Sequence, residues 1–80
     1  MAAQYQEIVM RFFFDVLGSR FSTYDYHGQY FDRQEDAADM ARLIAMDLGT
    51  SETNDWVGSQ VKVRCVAGQT LFSVPIRIAA

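Results

Sequence analysis

The chain has 80 residues, which is room for a single domain. Half of its residues are apolar, and eleven are aromatic (six Phe, four Tyr and one Trp), a composition that builds a core and excludes a disordered chain. The formal charge of −3 excludes a polycation that coats nucleic acid. A single cysteine excludes an internal disulfide framework and fits a reducing compartment.

Residues 1–7 are polar and small and have no period, so we expect a flexible leader followed by one domain over residues 8–80. Arg11 and Asp15 interrupt the most apolar early stretch, which is therefore neither a signal peptide nor a membrane span. With no targeting motif in the sequence, a cytoplasmic protein is the expectation.

The first predicted strand begins near Ile8 and alternates between apolar and mixed positions. Its apolar side carries Ile8, Met10, Phe12, Phe14 and Val16. Residues 18–19, a Gly-Ser pair, suit a two-residue type II′ hairpin turn. That turn would place Val16 opposite Phe21 on the inner face, and Phe13 opposite Tyr24 on the outer face.

Residues 25–31 contain turn residues without a period and predict a connector, after which a helix begins. Asp32 is the expected N-cap, with Glu35 at capping-box spacing. The helix is predicted over about residues 33–48, and Gly49 is expected to form a left-handed C-cap. The stripe that faces the core at i, i+3, i+4 spacing is Ala37, Met40, Ala41, Ile44, Ala45 and Leu48.

A second predicted hairpin ends the domain. A two-residue turn at residues 67–68 would pair Val63 with Phe72 and Val61 with Val74, and would unite the apolar faces. A three-residue turn with a bulge at Gly68 is the alternative, but it would mix the faces.

These elements predict an α+β domain of order ββαββ, with a four-stranded sheet and one helix on one face. We lean to the first and last strands at the centre of the sheet, because they are the longest and most apolar. Pro75, which cannot donate to a ladder, argues instead that the last strand is at an edge. Trp56 is expected to fold over the end of the core.

The order of several short motifs resembles a family of small bacterial proteins of unknown function. The matching pieces are Met10-Arg11-Phe12-Phe13-Phe14-Asp15, then Asp25 and Gly28, then Asp32 with Ala37, Ala38 and Ala41, then Trp56 and Gly58, and last Gly68 and Leu71-Phe72-Ser73-Val74-Pro75. The resemblance covers roughly residues 10–78. It implies the same fold, and it brings no activity and no catalytic residue.

The sequence offers little for catalysis, and we predict no catalytic residue, no metal site and no cofactor. Nucleophilic catalysis needs a nucleophile beside a base, but the alternation points Cys65 inward and leaves His27 in the connector. Asp25 and His27 supply only two possible metal ligands, whereas zinc takes three or four. The expected role of Asp25 and Gly28 is to shape a turn. The domain is therefore predicted not to be an enzyme.

One helix covers only one face of such a sheet, so the outer face is expected to be bare. Four of the seven basic residues point to that face, while the helix and its flanking connectors are acidic. The residues predicted to bind a partner are Arg11, Phe13, Tyr24, Lys62, Arg64, Leu71 and Arg77.

Three interpretations of this face remain open. It is an ordinary solvated surface, on which basic side chains lie over apolar neighbours. Alternatively, it binds an unknown protein partner, either in a homodimer or, since like charges would meet across a two-fold axis, with an acidic protein. In the third interpretation it binds single-stranded nucleic acid weakly, with aromatic side chains that stack on bases. A protein-interaction module is the predicted function, and no membrane is involved.

Overall fold

A computed structural model describes residues 9–51 and 54–78 of the chain. They form one helix packed on an antiparallel sheet, as the predicted α+β class requires. The strands are β1 (Met10–Leu17), β2 (Ser22–Thr23), β3 (Gln29–Phe31), β4 (Gln60–Cys65) and β5 (Thr70–Pro75), and the helix is α1 (Gln34–Gly49). The predicted leader over residues 1–7 lies outside the described residues.

The sheet has the order β2-β1-β4-β5, with β3 paired to β1 beside β2. Strands β1 and β4 are therefore central, and the expectation that the last strand lies at the centre is wrong. The missing N–H of Pro75 explains why β5 lies at an edge of the sheet. The Ile76 N–H donates to Ser59 O at 2.9 Å, so by the alternation of a strand the Pro75 nitrogen faces the free edge, where no donor is required.

The predicted second strand is present only as β2, and the predicted connector over residues 25–31 contains a further strand, β3, which accounts for five strands in place of four. Val16 pairs with Thr23 and Phe12 with Gln29, and the chain between these pairs, residues 24–28, leaves the ladder. The predicted pairing of Val16 with Phe21 is wrong by two residues. A Gly18 N–H donates to Phe21 O at 2.8 Å and closes a longer turn over residues 18–21.

The last hairpin has the predicted register with a different turn. Val63 pairs with Phe72 and Val61 with Val74, as expected. The turn itself has three residues, because Cys65 N–H donates to Gln69 O at 3.0 Å and Gly68 has a φ of 88°. A register shift beyond Val63 compensates for the extra residue. A bulge thus restores the apolar faces that a three-residue turn alone would have mixed.

Helix α1 carries the predicted apolar stripe, but its two caps differ from the prediction. The N-cap is Arg33, in extended conformation and without a side-chain cap hydrogen bond, so the expected cap at Asp32 is wrong. Glu35 is only two residues after this N-cap, so it lacks the spacing of a capping box, and its carboxylate contacts Arg33 at 3.1 Å. Gly49 is the last helical residue, and Thr50, with a φ of −94°, is the C-cap in its place.

The core lies between α1 and the inner face of the sheet. Its buried members are Phe12, Phe14, Ala37, Ala41, Ala45, Val61, Val63 and Ile76. Three alanines on the helix allow its backbone to lie close to the sheet, and the larger volume comes from the strands. Trp56 packs against this core, as predicted. So does Leu71, whose predicted place on the outer face is wrong because the bulge in the last hairpin turns it inward.

Candidate functional site

The gap between β2 and β3 is closed by a side chain. Where the chain leaves the ladder, the Phe14 N–H of β1 loses a backbone acceptor, and Asp25 Oδ2 accepts it at 3.1 Å. The other carboxylate oxygen of Asp25 accepts the N–H groups of His27 at 3.0 Å and Gly28 at 2.9 Å. Asp25 therefore fixes both the conformation of residues 24–28, called loop 24–28 below, and its attachment to the sheet.

An ion pair holds loop 24–28 from the sheet side. Asp15 is only 4% exposed, and its carboxylate accepts Arg64 Nε at 2.7 Å and Nη2 at 3.3 Å. Asp15 Oδ1 also accepts the Asp25 N–H at 2.9 Å, and Arg64 Nη2 donates to Asp25 O at 2.9 Å. Both carboxylate oxygens of the buried Asp15 are thus hydrogen-bonded, as a buried charge requires. Asp15 and Arg64 each also hydrogen-bond to the backbone of loop 24–28.

A second arginine, Arg11, also contacts the Phe13 ring. The guanidinium carbons of Arg64 and Arg11 are 4.6 Å and 4.9 Å from the centre of the Phe13 ring. Arg11 also donates to His27 O, from Nε at 2.9 Å and from Nη2. Gly28, at a φ of 73°, fits against this stack, since a Cβ there would lie 2.9 Å from Phe12 O and 3.1 Å from the Phe13 ring.

The surroundings of Asp25 and Arg64 favour the charged forms of both side chains. Partial burial alone would raise the pKa of Asp25, but the N–H groups of Gly28, Phe14 and His27 together lower that pKa below its ordinary value. The hydrogen bond to Asp15 raises the pKa of the Arg64 guanidinium. These charges hold the loop at neutral pH.

Loop 24–28 and the start of β3 present three exposed tyrosines. Tyr24 is 51% exposed, Tyr26 79% and Tyr30 63%. Tyr30 is paired with Arg11 across the strands, and its ring centre is 5.8 Å from the Arg11 guanidinium carbon. We call these three residues the tyrosine surface. Aromatic side chains are exposed here on backbone that the Asp25 and Arg64 contacts hold in place.

The predicted partner-binding residues have different positions in the structure. Arg11, Phe13 and Arg64 come together, but as the base on which loop 24–28 rests, so the outer face is not bare at this end. Tyr24 lies at the start of the loop. Lys62 is half-buried on β4, and Arg77 is exposed beyond β5. In the described part of the chain, neither Lys62 nor Arg77 has an ion-pair partner.

Sequence reasoning missed the acids that build the site, Asp15 and Asp25, and two members of the tyrosine surface, Tyr26 and Tyr30. A signal was present for Asp15, because an acid inside an apolar strand has to find a cation. The Asp25–Gly28 turn was expected, and hydrogen bonds from Asp25 form it. The hydrogen bond that the same carboxylate accepts from the Phe14 N–H of β1 could not be predicted from the sequence.

The hydrogen bonds and the ion pair of this site hold an exposed loop against the sheet. Over the described ranges, no three His, Cys, Asp or Glu side chains come close enough together to hold a metal ion. Cys65 is half-buried and paired with Phe12 in the sheet. No helix within the described residues is long and apolar enough to cross a membrane.

Comparison with known proteins gives one family. Searches of curated proteins and of solved structures gave no match. The family model described as Domain of unknown function (DUF6894) matches residues 11–77, nearly the whole span of the resemblance in the sequence motifs. The chain therefore belongs to this family of domains of unknown function, as its motifs predicted.

Proposed function

We propose that the domain is a non-enzymatic protein-binding module that contacts its partner through the tyrosine surface. The observation that carries the proposal is the exposure of Tyr24, Tyr26 and Tyr30 on a loop that Asp25, Asp15 and Arg64 hold against the sheet. Tyrosine is enriched in protein interfaces, because it offers a large apolar ring and a hydroxyl with only two rotatable side-chain bonds.

The anchoring of loop 24–28 also favours binding, because it lowers the free-energy cost of association. Ordering a mobile loop at an interface opposes association, and a loop already held in one conformation avoids that loss. Loop 24–28 is held by its own backbone contacts to Asp25 and by the two arginines that donate to its carbonyl groups.

Single-stranded nucleic acid is the second candidate, and it has weaker support. Stacking on Tyr24, Tyr26 or Tyr30 would suit bases, but the phosphates would need free cations nearby. Arg64 is committed to Asp15, which leaves Arg11 as the cation beside these tyrosines, with three N–H donors besides the two that it directs to His27 O. A fluorescence titration with mixed oligonucleotides at low and high salt would detect such binding through its salt dependence.

Site-specific photo-cross-linking tests the proposal. Tyr26 is replaced by a photoreactive phenylalanine analogue in cells that normally produce the protein, and Thr50, exposed at the end of α1, serves as the matched control position. We expect one discrete protein adduct from position 26, which Tyr30→Ser abolishes, and none from position 50. Substitution of exposed tyrosines should change the free energy of unfolding by less than about 0.5 kcal/mol. Identical adducts from both positions would contradict the proposal.

A further inference from the structure

An apolar groove opens beside the tyrosine surface, at the end of the sheet where β1 begins. Its volume is about 560 Å³, within the range of ligand-binding clefts. Its lining includes Val9, Met10, Arg11, Tyr30, Val66 and Leu71. Val66, in the turn between β4 and β5, is 72% exposed, and Val9 and Met10 are also exposed. Tyr30 and Arg11 make the groove continuous with the tyrosine surface.

The groove carries positive charge. Arg11 is the only charged residue that the described part of the chain contributes to the lining. It uses its Nε and one N–H of Nη2 on His27 O, which leaves three of its five N–H donors for another acceptor. A complementary occupant is therefore apolar with a carboxylate close by.

The chain itself has a surface of this kind on the solvent side of α1. Leu43 and Met46 are 59% and 63% exposed, three residues apart, and together form a ridge that faces away from the core. Exposed acids flank this ridge one turn away in each direction, Asp39 before Leu43 and Asp47 after it. Of the two, Asp39 pairs with Arg42, and Asp47 has no cationic partner among the described residues.

The ridge cannot reach the groove of its own chain. Gln34, the first residue of α1, lines the groove, whereas Leu43 lies about 13 Å further along the helix axis and points to solvent. Contact between ridge and groove thus requires two molecules.

We propose that the chain self-associates, with the acid-flanked ridge Leu43–Met46 of one copy in the groove beside Arg11 of the next. This inference rests on the proposed function, since it names a second copy of the chain as the partner. It brings Asp47 of one copy towards Arg11 of the next, whereas contact of two outer faces would bring the Lys62 side chains of both copies together. The two contacting surfaces differ, so the interface is heterologous, and repeated contacts form rings or open chains.

Two substitutions separate the two sides of the interface. Leu43→Lys removes the ridge at an exposed position where lysine is a good helix former, and Val66→Asp places an acid at the mouth of the groove. Ser19→Lys and Ser19→Asp are the matched controls, because Ser19 is exposed in the turn at the opposite end of β1. Each purified protein is measured by size-exclusion chromatography with light scattering across a dilution series up to about 1 mM.

We expect the wild type and both Ser19 variants to increase in mass with concentration. Each interface variant alone should associate at least tenfold more weakly. An equimolar mixture of the two variants should regain association and stop at a dimer, twice the 9.1 kDa of the monomer, because only one intact ridge and one intact groove can meet. High salt should weaken the association.

A wild-type protein that stays monomeric throughout the dilution series overturns the inference, as does a mixture that associates no better than its components. The proposed function fails separately, through the cross-linking result at Tyr26. A monomeric protein with a discrete foreign adduct at Tyr26 would retain the function and exclude the second copy as partner. Association that both interface variants leave intact would instead point to contact through another surface.

Discussion

At the scale of single residues, two acids hold the candidate site together by different means. Asp15 is buried and neutralised by Arg64, so removal of either partner would leave an uncompensated charge in the protein. Asp25 is less buried and is satisfied mainly by backbone N–H groups. Asp25 therefore substitutes for the missing stretch of the second strand, and its carboxylate is the feature most open to a clean test.

Asp25→Ala should lower the free energy of unfolding by about 2 kcal/mol at neutral pH, because three N–H groups lose their acceptor. Asp25→Asn keeps one acceptor oxygen and should lose less. Because folding depresses the Asp25 pKa, its stabilisation is present above the unfolded value near about 3.9 and is lost as pH falls through the folded value. Urea denaturation followed by Trp56 fluorescence measures this.

The difference in stability between wild type and Asp25→Asn should therefore narrow as the solution is acidified below about pH 4. Asp36→Asn is the control, since Asp36 is an exposed acid in the first turn of α1. A difference that stays constant from neutral to acidic pH would show that the Asp25 charge has no part in holding the loop.

At the scale of elements, local patterns predicted the first strand, the helix and the last hairpin, whereas β3 was predicted as part of a connector. The stripe of α1 and the register of the last hairpin follow from apolar spacing, which is local information. The separation of β2 from β3 depends on the hydrogen bond that the Phe14 N–H donates to Asp25, and the turn at residues 66–68 depends on a compensating bulge. The candidate site was predicted in part: Arg11, Phe13 and Arg64 do meet, but what brings them together is a loop that had no detectable period.

Gly49 is a second feature that depends on a contact distant in sequence. Its backbone angle does not require glycine, but the nearby backbone of Arg77 leaves no room for a side chain. A Cβ at Gly49 would lie 2.2 Å from the carbonyl oxygen of Arg77, where backbone would have to move. We expect Gly49→Ala to lower the free energy of unfolding by about 2 kcal/mol, although alanine favours a helix by about 1 kcal/mol. Thermal or urea denaturation measures the change.

Gly68→Ala is the comparison for that experiment. Gly68 has open space around its Cα but a φ of 88°, so alanine there should lose only the strain of a left-handed residue, about 1 kcal/mol. If Gly49→Ala proved more stable than the wild type, the close approach of α1 to the segment after β5 would be refuted.

At the scale of the whole molecule, the two faces of the sheet are held by different forces. The inner face is apolar and covered by α1, and the outer face is fixed near β1 by a polar network centred on Asp15 and Arg64. A domain of 80 residues buries only about 60–65% of its extended surface, so it has little stability to spare. A loop held by several hydrogen bonds in so small a domain is consistent with a binding role for the loop.

Amide hydrogen exchange measured by NMR should show this distribution of stability. We expect the slowest exchange in β1 and β4, which are central and contain Phe12, Val61 and Val63, all nearly inaccessible to solvent. The His27 and Gly28 amides should also be protected, despite their place in a surface loop, because Asp25 accepts both. Asp25→Asn should release these two amides and leave the central strands protected. If His27 and Gly28 exchange in the wild type as fast as unstructured residues, the tyrosine surface is not held in advance of binding.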